Sequence, residues 1–224
     1  MMTLSQPQME QLTELFRCGA SDASQALSVW LGRHASVCVD QLKQLNLDEA
    51  TKSLGPADAT LCACIMGVTG GISGQMLFCF DEESGLLLCD LLLGRDGVVG
   101  RDGVATEWGE LETSSAMETA NIVGCAYLNS LANAMPSFSS PVADCLGKTS
   151  HGWVPTPPQF VRDFAASILQ FAVMNQATEF DTVLVAQTRF QIDDQPVAWT
   201  LLLIPDANSL TSIINSTTAP RPLG

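Results

Sequence analysis

The order of elements along this chain nearly repeats, and that repeat constrains the fold more than any single motif. "LFCFDEESGLLLCDLL" in the first half and "LLLIPDANSLTSIINS" in the second each run from an apolar strand through an acidic turn into an apolar helix. Each half also opens on a long helix with an early Glu. Read in order, the chain is long helix, strands, helix, then long helix, helix, strands, helix. Two α/β units paired across a pseudo-twofold axis account for this economically. The expected class is a mixed α/β (α+β) fold of duplicated half-domains, with antiparallel hairpins forming one sheet flanked by the two long helices.

With 224 residues, a single domain is expected, its first half about 1–94 and its second about 106–216. "RDGVVGRDGV" reads as a surface linker over 95–105, and "TTAPRPLG" as a frayed tail over 217–224. Ser5, Pro7 and Gln8 signal the start of the first helix and Gly32 its end. "ASVCV" is a short apolar segment and "LNLDEATKSLGPAD" a loop. The apolar runs around Gly70 and Gly71 form a hairpin, and "DEESGLLLCDLLLG" is a helix. The second long helix is expected from about residue 106 to 133, and "QFVRDFAASILQFAVM" as a further helix. A hairpin around "DDQ" and the helix "DANSLTSIINS" close the chain.

Composition narrows the function. The formal charge of -14 repels a polyphosphate backbone and disfavours anionic membrane surfaces, so neither nucleic acid nor membrane is an expected partner. The opening residues lack a basic region followed by an apolar run, and "LLLCDLLLG" is too short to span a bilayer; a cytoplasmic protein is expected. The 8 cysteines sit mostly inside apolar patterns such as "LCACIM" and read as reduced, buried thiols, with no metal-ligand spacing. Familiar enzyme signatures fail. "LGKTS" has Val142 where a phosphate loop needs its first glycine, "GISGQ" is not a nucleophile elbow, and neither His34 nor His151 sits in a catalytic context.

What stands out is "SSAMETANIVGCAYLNSLAN", residues 114 to 133. At about 100° per residue, Ser114, Glu118, Asn121 and Cys125 fall within an arc of about 60°. A lone acid and a lone amide thus share one accessible stripe among small residues. They are not a two-carboxylate acid/base pair; they suit gripping a partner's cation and orienting a water. Cys125 reads as a small packing residue.

This stretch resembles the signature helix of the CheC/CheX/FliY family of chemotaxis phosphatases, whose pattern is Asp or Ser, then Glu four residues on, then Asn three further. Here those positions are Ser114, Glu118 and Asn121. "CGASDASQALSVWLG" resembles the family's first long helix, and "VPTPPQFVRDFAASILQFAV" and "FQIDDQPVAWTLLLIPDANSL" its closing segments. The resemblance covers most of the chain and is closest to the CheC branch. It implies dephosphorylation of a phospho-aspartate on a CheY-like response regulator, with Asn121 holding a water in line with phosphorus, Glu118 pairing with a lysine of the regulator, and Ser114 touching the partner. The Mg²⁺ would belong to the regulator, with no cofactor of the chain's own.

The chain departs from the pattern in its first helix, where Glu14 is present but Arg17 stands at the position of the Asn. Arg has donors and no acceptor, so one working site is expected, in the second long helix. The family's Pro falls between Pro141, which comes early, and Pro155, Pro157 and Pro158, which come late; an insertion within 134–153 would explain this. The alternative the resemblance allows is a non-catalytic CheC-like adaptor that binds a response regulator, a CheD-type deamidase or the flagellar switch.

Overall fold

The computed structural model describes residues 3–56, 58–95, 107–134, 141–143, 149–151, 153–174, 183–192 and 195–216. Helix α1, Gln6–Leu31, begins where Gln8 turns its side chain back to accept the Ser5 backbone N–H at 2.8 Å. It stops at Gly32, whose φ of 62° is a left-handed turn that favours glycine. Strand β1 (Ala35–Leu45), helix α2 (Leu47–Leu54), the hairpin β2 (Thr60–Thr69) and β3 (Gly74–Phe80), and helix α3 (Glu82–Leu92) complete the first half. The second half opens with helix α4 (Glu110–Ala134). A two-stranded ribbon of β4 (Pro141–Ala143) and β5 (Thr149–His151) follows, then β6 (Val154–Pro155), β7 (Gln159–Phe164) and helix α5 (Ala165–Met174). The hairpin β8 (Val183–Ile192) and β9 (Gln195–Pro205) and helix α6 (Ala207–Ser216) close the chain.

The main sheet runs β1-β8-β9-β3-β2-β6, with β7 pairing β2 beside β6, and its pairings are antiparallel. Each half keeps its hairpin near the centre and lends its outer strand to the other half: β1 pairs β8, and β7 pairs β2. β3 and β9 meet at the centre, where Gly74 lies opposite Pro205. A Cβ at Gly74 would stand 2.3 Å from the Ile204 carbonyl oxygen, so this seam closes only because glycine has none.

Side chains alternate across the sheet. Cys64, Met66, Met76, Phe78, Leu201 and Leu203 face a core shared with α1, α3 and α4. Ala63, Ile65, Leu77, Val185, Leu202 and Ile204 face a second core under α2 and α5. Coverage on both faces is why "LCACIM" in β2 is an unbroken apolar run. Cys62, Cys64, Cys79 and Cys89 are buried free thiols, and burial pushes Cys62, Cys79 and Cys89 up to about 12. Cys18 and Cys38 are exposed and depart from the expectation of buried thiols.

Several expectations are corrected. The "LNLDEATKSLGPAD" stretch is not only loop: α2 forms because Asn46 accepts the Glu49 N–H at 2.8 Å and Glu49 accepts the Asn46 N–H at 3.1 Å. "QFVRDF" is strand rather than helix, because pairing with Thr60–Ile65 satisfies its backbone and fills the sheet position that β1 occupies in the other half. "ASVCV" is the start of an 11-residue strand. The 95–105 linker beyond Arg95, the tail and most of the 134–153 segment lie outside the described residues.

The long helices α1 and α4 pack side by side. A Cβ at Gly19 would lie 2.6 Å from Tyr127 Cδ1 and 3.1 Å from Tyr127 Cα, so the helices touch through a missing side chain. Phe16 packs on the same tyrosine with ring centroids 5.6 Å apart, and Ser130 donates to Asp22 at 2.6 Å across the helix pair. Replacing Gly19 by Ala gains helix propensity but overpacks a contact that includes backbone. Denaturant unfolding should show Gly19→Ala less stable by about 1–2 kcal/mol.

Candidate functional site

The start of α4 is fixed from two sides. Trp108 sits between Phe80 of β3 and Phe160 of β7, with ring centroids 5.9 Å and 4.7 Å away. On the other side, Arg95 Nη1 donates to Asp90 Oδ1 at 3.1 Å and to Glu112 Oε1 at 2.8 Å, tying the end of α3 to the first turn of α4. Asp90 is 1% exposed, and Cys89 donates to the Glu112 carbonyl beside it. The Arg95 hydrogen bond is the main cause that holds the Glu112 carboxyl below its ordinary range, against the opposing effect of burial. Sequence reading missed this clamp, although an aspartate inside "LLLCDLLLG" was its signal.

Beyond the clamp, α4 buries Ala116, Ala120, Val123, Tyr127 and Leu131. Gly124 faces the sheet so closely that a Cβ would stand 2.4 Å from Met66 Cε. The opposite side carries the stripe read from the sequence: Ser114 and Glu118 are exposed, and Asn121 and Cys125 are half-buried. Cys125 donates to Asn121 Oδ1 at 3.7 Å, and among the described residues the Asn121 amide nitrogen has no partner. An open hollow of about 600 Å³, lined by Trp108, Gly109, Glu110, Thr113 and Ser114, adjoins the upper end of the stripe.

The matching face of α1 differs in chemistry. Glu14 and Arg17, 64% and 54% exposed, pair with each other 3.6 Å apart. The guanidinium is held beside the neighbouring acid as an ion pair and offers no acceptor to a water. Among the described residues, no group of three His, Cys, Asp or Glu side chains could hold a metal ion, and no helix is long and apolar enough to cross a membrane.

No protein-family model matches the chain. Among solved structures, FliY of Thermotoga maritima superposes with a TM-score of 0.72 at 18% identity, over 97% of this chain and 98% of that one. A chain of the FliG-FliM complex from H. pylori gives a TM-score of 0.66 at 12% identity, over 95% and 100%. The FliM middle domain from H. pylori gives 0.61 at 12%, over 95% and 99%. The fold is therefore the one shared by FliY and the FliM middle domain; the sequence resemblance implied the likeness to FliY.

Arg95→Ala would take one guanidinium away from the buried Asp90 and from Glu112. Because Arg95 is itself partly solvated, the expected loss is at the low end for a broken buried pair, about 2–3 kcal/mol in thermal or denaturant unfolding. The sign of the pH dependence follows from Glu112. Its depressed carboxyl contributes stability above the ordinary carboxylate range, near pH 4.3, and that contribution disappears as pH falls through the folded value. Wild type should therefore lose more stability than Arg95→Ala between pH 6 and about pH 3.

Proposed function

We propose that the chain is a phosphatase for the phospho-aspartate of a CheY-like response regulator in chemotaxis signalling, with one working centre at Glu118 and Asn121 on α4. A single observation carries this reading: the acid and the amide stand on one open stripe, and the amide nitrogen of Asn121 is unengaged among the described residues.

Phosphoryl transfer from an acyl phosphate asks little covalent chemistry of a protein, so positioning one water in line with phosphorus is enough to accelerate it. Asn121 suits that task because a carboxamide both donates to and accepts from the same water. Glu118, exposed and one turn away, pairs with a lysine of the regulator, and Ser114 extends the contact by a further turn. The Mg²⁺ that neutralises the phosphoryl group belongs to the regulator. Arg17, tied to Glu14, takes no part.

A second reading is a non-catalytic adaptor. It is favoured by the Glu14–Arg17 pair on the twin helix and by the likeness to FliM, which one of the matched structures holds in complex with FliG. In that reading the same face binds a response regulator, a CheD-type deamidase or a flagellar switch protein without hydrolysis.

Loss of phosphate from a Mg²⁺-bound, phosphorylated CheY-like regulator decides between them. Asn121→Ala should slow the accelerated reaction roughly a hundredfold, about 3 kcal/mol. Glu118→Ala should raise KM as well as lower kcat, whereas Arg17→Ala should leave both unchanged. A wild-type chain that binds the regulator and leaves its decay rate unaltered would establish the adaptor instead.

A further inference from the structure

A carboxamide that is to position a water must have its plane fixed, and one contact on α4 reaches the carboxamide of Asn121. The Cys125 thiol lies 3.7 Å from Asn121 Oδ1, one helical turn along the same stripe, and is the donor of that pair. We propose that Cys125 orients Asn121: its thiol proton holds Oδ1, sets the plane of the carboxamide and leaves the amide nitrogen facing the open side. The consequence for turnover rests on the phosphatase reading above; the orientation itself does not.

Three observations support this role over packing alone. Cys125 is half-buried, unlike the four thiols enclosed in the sheet and α3. Burial, followed by the negative charge of Glu118, pushes its thiol upward, so it stays protonated near neutral pH and keeps the proton it donates. The third observation is a contrast with hydroxyls elsewhere. Thr13, Ser24, Thr51 and Thr119 each sit within a helix and each donate to the backbone carbonyl four residues earlier, at 2.7 to 2.8 Å. Cys125 reaches past that carbonyl to the side chain of the residue four earlier. The longer carbon–sulfur bond and the weaker pull of a thiol toward the backbone suit it to this contact, whereas a hydroxyl would be diverted. An acceptor oxygen with two lone pairs also retains one for a water after the thiol is satisfied.

The same feature explains why a serine is no substitute. Cys125→Ser should send its hydroxyl to the Asn121 carbonyl and free the carboxamide, and Cys125→Ala should free it outright. Both variants should lower kcat by about fivefold with KM unchanged, since the contact affects positioning rather than docking. A second readout is independent of turnover: ¹⁵N relaxation of the Asn121 side-chain amide, assigned by its loss in Asn121→Ala. The order parameter of that amide should fall in both cysteine variants. An equally mobile amide in wild type and variants, or variants with wild-type kcat in an active enzyme, would overturn the proposal. If wild type fails to accelerate dephosphorylation while the amide still loosens in the variants, the phosphatase reading falls and the orientation of Asn121 by Cys125 stands.

Discussion

Exchange of outer strands between the two halves is the constraint from which the remaining structure follows. β1 depends on β8 for its backbone partners and β7 depends on β2, while the two hairpins meet only where β3 runs against β9. Neither half therefore has a complete sheet of its own. The arrangement brings α1 and α4 together on one face, where α4 covers strands of both halves, β2 as well as β6 and β7. The close passage at Gly19 and Tyr127, the glycine seam at Gly74 and the clamp at Arg95 all serve that geometry. Side chains on α4 thus project from a helix held by the sheet, its twin helix and an ion cluster, which suits a site that works by position.

Duplication supplies two matching stripes, but the chemistry has diverged. On α4 the acid and the amide are separate groups, each available to an outside partner. On α1 the corresponding acid and guanidinium neutralise each other across one turn. Arg17 is more exposed than Asn121, its counterpart on α4, and the chemistry differs at that position: an amide can accept from a water, a guanidinium cannot.

Much of this was legible in the sequence wherever local chemistry decides the outcome. Ser5 and Gly32 bound α1, Gly70 and Gly71 mark the β2–β3 turn, and the accessible side of α4 follows from helical spacing. Elements that depend on distant partners were harder to read. "QFVRDF" leads without a break into a good helical segment, and only the open edge of β2 makes it a strand. α2 carried a readable Asn46–Glu49 signal, but a helix of eight residues with Ala50 as its buried member shows little apolar periodicity. The clamp was hidden because Arg95 lies in what reads as a linker, far in sequence from Glu112. Cys125 was read as filler because spacing alone does not say which oxygen a thiol will reach.

The exchanged strands also bear on how the chain is made. Ala35 lies opposite Ile192, and Leu45 opposite Val183. As the polypeptide leaves the ribosome, β1 emerges long before its neighbour β8. The first half cannot lock as an independent unit in the meantime: its apolar β2 and β3 surfaces wait for α4, β7 and β9, and contacts of such long sequence separation form slowly. A chain built this way completes its sheet only once β8 and β9 are present, so a truncation that removes them would strand the first half with β3 uncovered on one edge and its opening strand unpaired.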